Sequence, residues 1–401
     1  MPSSAIHEPS SALHEAMAAR VERGEFPGIV TLVARADGDR ADDVRVDAIG
    51  VTHFGGDVPM RRETPFRLAS LTKPIAAAAA MSLVEDDLID LEEPVQRLLP
   101  ELADRRVLVR FDAGLDETVP ARRQITVDDL LTFRMGWGHI VEPEFMPSVP
   151  VTRRADDELK LVMGQPDPRT PHDPDEWIRL FGTLPLIYQP GERWSYNAGS
   201  LVLGVLLARA ARQPLGDVLR ERVFEPLGMT QTGFWLPADR AAELPGYYMT
   251  DPSTGRMTEN TLSGPEVWSS PPAFPSAAGG LVSTVDDVFS FARMLLNRGV
   301  HGGTRVLSEK SVEMMTTNHL TPEQIASGGI LLNGSGYGLG MGVTVGPDDI
   351  AETAGRYGWS GGYGTDWFND PHEGLIAIAM TQVSDFLWSG AMIEFAKLAY
   401  R

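Results

Sequence analysis

The chain of 401 residues contains no cysteine, which excludes disulfides, thiol catalysis and thiolate-held metals together. The fold must hold by packing alone. Lysine is almost as scarce: of 35 basic residues only Lys73, Lys160, Lys310 and Lys397 are lysines. The net charge is −20 and the isoelectric point about 4.8, so a nucleic acid or an anionic membrane surface is repelled overall. No segment approaches the ~18 consecutive apolar residues of a membrane span, and Met1 to Arg20 lack a basic head followed by an apolar run. A soluble, cytoplasmic protein is expected. The eight histidines show no metal-ligand spacing, so neither a metal nor a cofactor is indicated. What is present is ordinary for a globular protein, with 43% hydrophobic and 22% charged residues. The length fits two to three domains, or one large α/β domain carrying an insertion.

Scarcity gives one lysine a meaning. Lys73 follows Ser70 by three residues in Phe66-Arg67-Leu68-Ala69-Ser70-Leu71-Thr72-Lys73-Pro74. An arginine guanidinium keeps its proton in a protein, whereas a desolvated lysine can release it. A serine one helical turn from such an amine is a nucleophile beside a base. With 23 serines and four lysines, however, this spacing arises by chance about one time in four. The tetrapeptide therefore establishes nothing without partners.

The surrounding pattern supplies a scaffold. Residues 10–23 place Leu13, Met17 and Val21 on one helical face and end at Gly24. Residues 28–34 and 44–49 read as a β-hairpin joined by a polar, Asp-rich turn. Ser70 is expected to open a helix whose body, Ala76 to Ala80, lets neighbours approach closely, with Pro74 tolerated in the first turn. In the middle third, Thr126 with Asp129 and Asp173 with Glu176 cap helices. Ser283 with Asp286 is expected to cap another, reaching Arg298. Residues 140–171 and 240–275 are long connections of the kind that carry function. Residues 364–369 and 374–382 read as strands joined by a turn at 370–373, and 385–400 as a closing helix. The reading is an α+β protein: an antiparallel sheet built from both chain ends (1–95 and 271–401) and flanked by helices. Residues 96–270 form an inserted helical lobe, and a cleft between the lobes receives Ser70.

Two further segments carry candidate chemistry. Pro190 to Ser200 is a turn feeding an apolar helix, and it offers the Tyr196 phenol just before that helix. An adjacent ammonium favours the ionised phenolate, so Tyr196 could share the base role with Lys73. Arg356 to Thr365 is glycine-rich and leads into a strand, so a backbone N–H there could meet a developing oxyanion. This segment also contains Gly358-Trp359-Ser360-Gly361-Gly362, which matches the Gly-x-Ser-x-Gly nucleophile elbow. An elbow needs a helix after the serine and a later acid and histidine in order. Here a strand follows, and the only later histidine is His372, in the expected turn.

Taken together these blocks resemble the serine β-lactamase-like superfamily of class C β-lactamases, D-alanyl-D-alanine peptidases and family VIII carboxylesterases. Phe66 to Pro74 is similar to its Ser-x-x-Lys block, Ile125 to Thr132 to its Ile-Thr-x-x-x-Leu-Leu-Thr helix, and Pro190 to Gly204 to its tyrosine block. Phe224 to Met229, Ala278 to Thr284, Tyr337 to Gly340 and Trp359 to Thr365 follow in family order. The resemblance implies a β-lactamase/transpeptidase-like fold and an acyl-enzyme on Ser70. Lys73 and Tyr196 would exchange its proton as a coupled pair, and the backbone N–H groups of Ser70 and Gly362 would form the oxyanion hole. Trp359, Ser360, Gly361, Asn197 and Ala198 would face substrate.

Two departures from the lactamase pattern matter. Where that pattern has Tyr-x-Asn, this chain has Tyr196-Asn197-Ala198; where it has Lys-Thr-Gly, this chain has Trp359-Ser360-Gly361. The amide and the ammonium that would hold a lactam and its carboxylate are both missing, although Arg356 could supply charge. The Trp-x-Gly form is similar to that of the carboxylesterases. A small-molecule substrate follows, a short acyl ester ahead of a lactam. Lactamase, peptidase, acyltransferase to an alcohol and non-turnover penicillin-binding protein remain the alternatives. Large apolar residues in and beside the long loops, the aromatics Tyr247, Tyr248, Trp268, Phe274, Trp137 and Phe145 together with Met146, either line an acyl pocket or anchor their loops.

Overall fold

The computed structural model describes residues 11–35, 43–141 and 145–401. The expected turn after the first strand, and part of the connection 140–171, lie outside the described residues. The hairpin strands β1 (Gly28–Arg35) and β2 (Asp43–Gly50) join five strands from the other end of the chain. These are β3 (Gly336–Tyr337), β4 (Gly342–Val343), β5 (Tyr357–Gly361), β6 (Thr365–Asp370) and β7 (Leu375–Met380). They form one seven-stranded antiparallel sheet in the order β3-β4-β5-β6-β7-β1-β2. The two chain ends meet where β1 pairs with β7, Val30 opposite Met380 and Val33 opposite Ala377. β7 is apolar throughout and β1 is apolar apart from Thr31 and the terminal Arg35, as strands covered on both faces should be.

Each face has its own cover. Helix α1 (Ser11–Glu22) and the C-terminal helix α7 (Ala391–Ala399) close one face around Leu13, Met17, Ile29, Leu375, Ala377 and Phe395. On the other face Val30, Leu32, Ile376, Ile378 and Met380 belong to the large core shared with α2 (Thr72–Glu85). That core continues into the middle third through α3 (Val127–Leu131), α4 (Pro174–Gly182) and α5 (Ala198–Ala211), and includes α6 (Val285–Leu296). The alanine run of α2 is almost completely buried. Gly340, in the left-handed region at φ +81°, lies against it: a Cβ there would stand 2.6 Å from the Ala77 Cβ. Among the described residues no helix is long and apolar enough to cross a membrane.

Several local expectations shift. Ser70 lies in a single 3₁₀ turn, Ala69–Leu71, ahead of the α-helix. Thr126 and Asp173 cap their helices as read, but α6 is capped by Thr284, which accepts from the Asp287 N–H, and it ends two residues before Arg298. Ser283 is instead committed to a short strand pairing with Phe66–Arg67. The closing helix is broken: a 3₁₀ turn at Ser384–Leu387 precedes Gly390 at φ +81°, and only then does α7 begin. The glycine-rich segment from Tyr357 is no loop but β5, hydrogen-bonded on both sides. Its glycines fit because β6 presses on it: a Cβ on Gly358 would meet Trp367 O at 2.1 Å.

Candidate active site

The start of α2 brings Ser70 and Lys73 onto one face. Lys73 Nζ lies 2.9 Å from Ser70 Oγ and donates to the Ala278 carbonyl at 2.6 Å. That carbonyl belongs to the Ala278 to Thr284 block, which follows the long connection and returns beside Ala69. The amine is 1% exposed, and burial holds it well below the ordinary lysine range. Ala69, immediately before the serine, sits at φ +47° although it carries a Cβ, local strain of the kind found at functional positions.

Tyr196 completes the cluster. Its ring lies 4.5 Å from Lys73 Nζ, and its hydroxyl is hydrogen-bonded with Ser70 and accepts from Trp359 Nε1 at 2.8 Å. An eased ionisation was expected from the neighbouring cation. The reverse holds: burial pushes the phenol up to about 12, with the bonds to Ser70 and Trp359 pulling it partly back. Burial disfavours the Lys73 ammonium as well, so both groups are pushed toward their neutral forms. Phe133, Trp194, Tyr337 and Trp359 enclose the phenol, and the His139 ring stands edge-on to it. Burial, with Lys73 nearby, takes His139 down to about 4, so it remains neutral too.

The sheet contributes the remaining wall. Trp359 projects from β5 toward Tyr196, and the chain then turns through Gly362. Neither the Ser70 N–H nor the Gly362 N–H donates to another group of the described chain. A Cβ built on Gly362 finds only Gln165 Nε2, at 3.7 Å. Gly361 serves contact rather than ligand: a Cβ there would lie 2.1 Å from Leu68 O, so its absence lets β5 close on the turn that carries Ser70.

Three more of the expected substrate contacts are not placed at Ser70. Ser360 points to the opposite face of β5, because strand side chains alternate, and donates to Asp366 Oδ1 at 2.7 Å beneath Met392 of α7. Ala198 is buried in the core. Asn197, at φ +85°, spends its amide on the carbonyls of Met163 and Gly164 and so pins the 163–166 segment beside the site. Arg356 is likewise committed elsewhere, paired with Asp348 and lying over Phe368. Of the large loop residues, Trp268 and Tyr247 are fully buried anchors, Phe274 stacks on Trp177, and Phe145 and Met146 are half exposed. Sequence reasoning missed Phe133, His139 and Gln165. No spacing marks them, since each reaches the site through chain reversals.

An antiparallel sheet from both chain ends, with a buried Ser-x-x-Lys helix against it, is the architecture of the serine β-lactamase-like superfamily. The Beta-lactamase family model matches residues 13–397, and the chain belongs to that family. It is 38% identical over 369 residues to an uncharacterised protein of Mycobacterium tuberculosis, covering 90% of this chain and 87% of that one. It is 30% identical over 373 residues to esterase EstB of Burkholderia gladioli, covering 89% and 86%. Among solved structures, EstCE1, described as a hydrolase with promiscuous acyltransferase activity, superposes with a TM-score of 0.79 at 24% identity over 97% and 98% of the two chains. That likeness establishes the fold.

Proposed function

We propose that the protein is a serine hydrolase that cleaves short acyl esters through an acyl-enzyme on Ser70. The observation that carries the reading is the contact between Ser70 Oγ and the buried Lys73 amine, whose charged form burial disfavours. A neutral amine has two N–H groups and one lone pair. Ala278 O takes one N–H, which holds Nζ beside Ser70 Oγ, where a rotation of the amine exchanges its second N–H for the lone pair that accepts the serine proton. Ser70 Oγ attacks the ester carbonyl while its proton passes to Lys73 Nζ. The carbonyl oxygen becomes an oxyanion between the N–H groups of Ser70 and Gly362, at the start of a 14-residue helix whose dipole favours negative charge. As the tetrahedral intermediate collapses, the C–O bond to the alcohol breaks. The Tyr196 hydroxyl donates its proton to the departing alkoxide and regains one from Lys73. Water then repeats the sequence on the acyl-enzyme and frees the acid. The pair works as one unit, so its titration belongs to both groups.

An ester is favoured over a lactam because the position that would present a cation presents Trp359, whose N–H is occupied by Tyr196. The sequence relationship to an esterase at 30% identity supports the same choice. The test is a phosphonate probe followed by peptide mass spectrometry. An adduct on Ser70 is expected; an adduct on Ser360 with none on Ser70 overturns the reading. A nitrophenyl ester separates turnover from capture: a burst followed by steady release marks a hydrolase, and a burst that stops marks a binder.

A further inference from the structure

Gly362 has no side chain with which to fix its own orientation, yet an oxyanion donor must be aimed. The peptide on its N-terminal side is held because Gly361 O accepts from the Gly364 N–H at 2.8 Å. The peptide on its C-terminal side is held from outside the turn. Ser384 Oγ donates to Gly362 O at 2.7 Å. Ser384 has one hydroxyl hydrogen, so at its 3.0 Å contact with Tyr247 OH it must accept. Tyr247 therefore spends its own hydrogen on Ser384 and accepts from Gln165 Nε2 at 2.7 Å. Every proton is ordered along one chain: Gln165 to Tyr247 to Ser384 to the Gly362 carbonyl. Bonds in such a series polarise and stiffen one another.

The elements that supply the chain are themselves fixed. Tyr247 is fully buried, and its backbone N–H donates to Ser263 Oγ at 2.7 Å. Gln165 belongs to the segment that Asn197 anchors, and the Tyr363 hydroxyl donates to the next carbonyl, Pro166 O. Two long connections and the segment after β7 thus converge on one carbonyl, next to a glycine whose Cβ position would meet only Gln165 Nε2, at 3.7 Å.

We propose that Ser384 and Tyr247 are positioning residues for the oxyanion hole: their hydroxyls, in series, hold the peptide that follows Gly362 and so fix the glycine between two anchored peptides, with its own N–H facing the carbonyl oxygen bound at Ser70. Neither touches substrate. The inference rests on the acyl-enzyme reading above and adds the means by which one of its donors is aimed.

The experiment compares nitrophenyl butyrate with its thionoester, whose sulfur accepts hydrogen bonds poorly, in the full-length enzyme. The wild type should prefer the oxygen ester strongly. Ser384→Ala should lower kcat on the oxygen ester about 10- to 100-fold, the scale of a small misplacement of reacting groups, with KM within about two-fold. Its preference for oxygen over sulfur should shrink, because a loosened donor discriminates less. Ser384→Thr, which keeps the hydroxyl, should restore both. Tyr247→Phe should shift both in the same direction by less, and the double variant should be no worse than Ser384→Ala, since the groups act in series. If Ser384→Ala fails to fold, Tyr247→Phe and Ser384→Thr carry the comparison. Unchanged kcat and an unchanged oxygen-to-sulfur ratio overturn the proposal, as does a fall in activity at a constant ratio. Failure of the acyl-enzyme reading looks different: the wild type itself takes no phosphonate on Ser70.

Discussion

Ser70 and Ser360 occupy the same layered body, each inside a short motif that resembles a nucleophile's setting, and each hydroxyl is bonded to a buried titratable group. Ser70 has Lys73 Nζ at 2.9 Å; Ser360 has Asp366 Oδ1 at 2.7 Å. Burial acts on the two partners with opposite consequences. It disfavours the charged form of an amine, which makes a lone pair beside Ser70 easier to obtain. It makes a carboxyl hold its proton up to about pH 6, and above that Asp366 is still a far weaker base than an amine. The settings differ as well. Ser70 begins a helix, with its own N–H and that of Gly362 undonated within the described chain, whereas Ser360 lies mid-strand under α7. A serine with a titratable partner is common chemistry; only Ser70 adds to it a buried amine, a phenol and unused N–H groups on one side.

The sharpest way to break this contrast is to remove each half. Lys73→Arg replaces an amine that can take up the Ser70 proton with a guanidinium that keeps its own, so it should be nearly as damaging as Ser70→Ala, about 10³-fold or more in kcat, whereas Ser360→Ala should stay within about two-fold. Ester hydrolysis assays decide it, and an active Lys73→Arg enzyme would remove the lysine's base role. Tyr196→Phe keeps the aromatic packing and loses the hydroxyl; turnover should fall about 10²- to 10³-fold with the melting temperature nearly unchanged. A loss confined to stability would make Tyr196 a packing residue. The pH profile follows from the same neutral pair. Lys73 must be unprotonated, so kcat/KM should drop on the acid side as pH falls through its lowered value. No alkaline limb should appear until pH nears the Tyr196 value of about 12.

How much of this the chain discloses depends on the distance over which a signal acts. Ser70 and Lys73 are one turn apart, and the alternating apolar strands are local too, so the antiparallel sheet from both chain ends and the first two site residues are legible. The Tyr196 and Gly362 segments are legible through resemblance rather than spacing. The face of Ser360 is not, because a one-residue change of phase in β5 exchanges the two sides of a sheet, and Trp359, Gly361 and Ser360 look alike in a glycine-rich string. Asn197 misleads for a similar reason: its position beside Tyr196 suggests substrate, but its left-handed backbone turns the amide onto Met163 and Gly164. The relay through Tyr247 and Ser384 joins residues 137 positions apart, and nothing local marks it.

The smallest effect tests the Ser360 side by itself. Asp366 in the folded protein titrates at about 6, raised from 3.8 chiefly by burial, with the Ser360 hydroxyl pulling it partly back. A carboxyl raised by folding is held in its protonated form more tightly by the native state than by the unfolded chain. Its contribution is therefore most favourable below about pH 4 and is lost as pH rises toward 6. Two units correspond to about 3 kcal/mol. Asp366→Asn keeps an acceptor for Ser360 but cannot ionise, so urea unfolding of the two proteins should diverge with pH, the wild type losing about 3 kcal/mol relative to the variant between pH 4 and pH 8. Parallel curves would mean that Asp366 is ionised without penalty, and the carboxyl beside Ser360 would then be a better base than its burial allows. Ester turnover should be the same in both proteins at every pH where both are folded, because this titration takes place on the face of β5 turned away from Ser70.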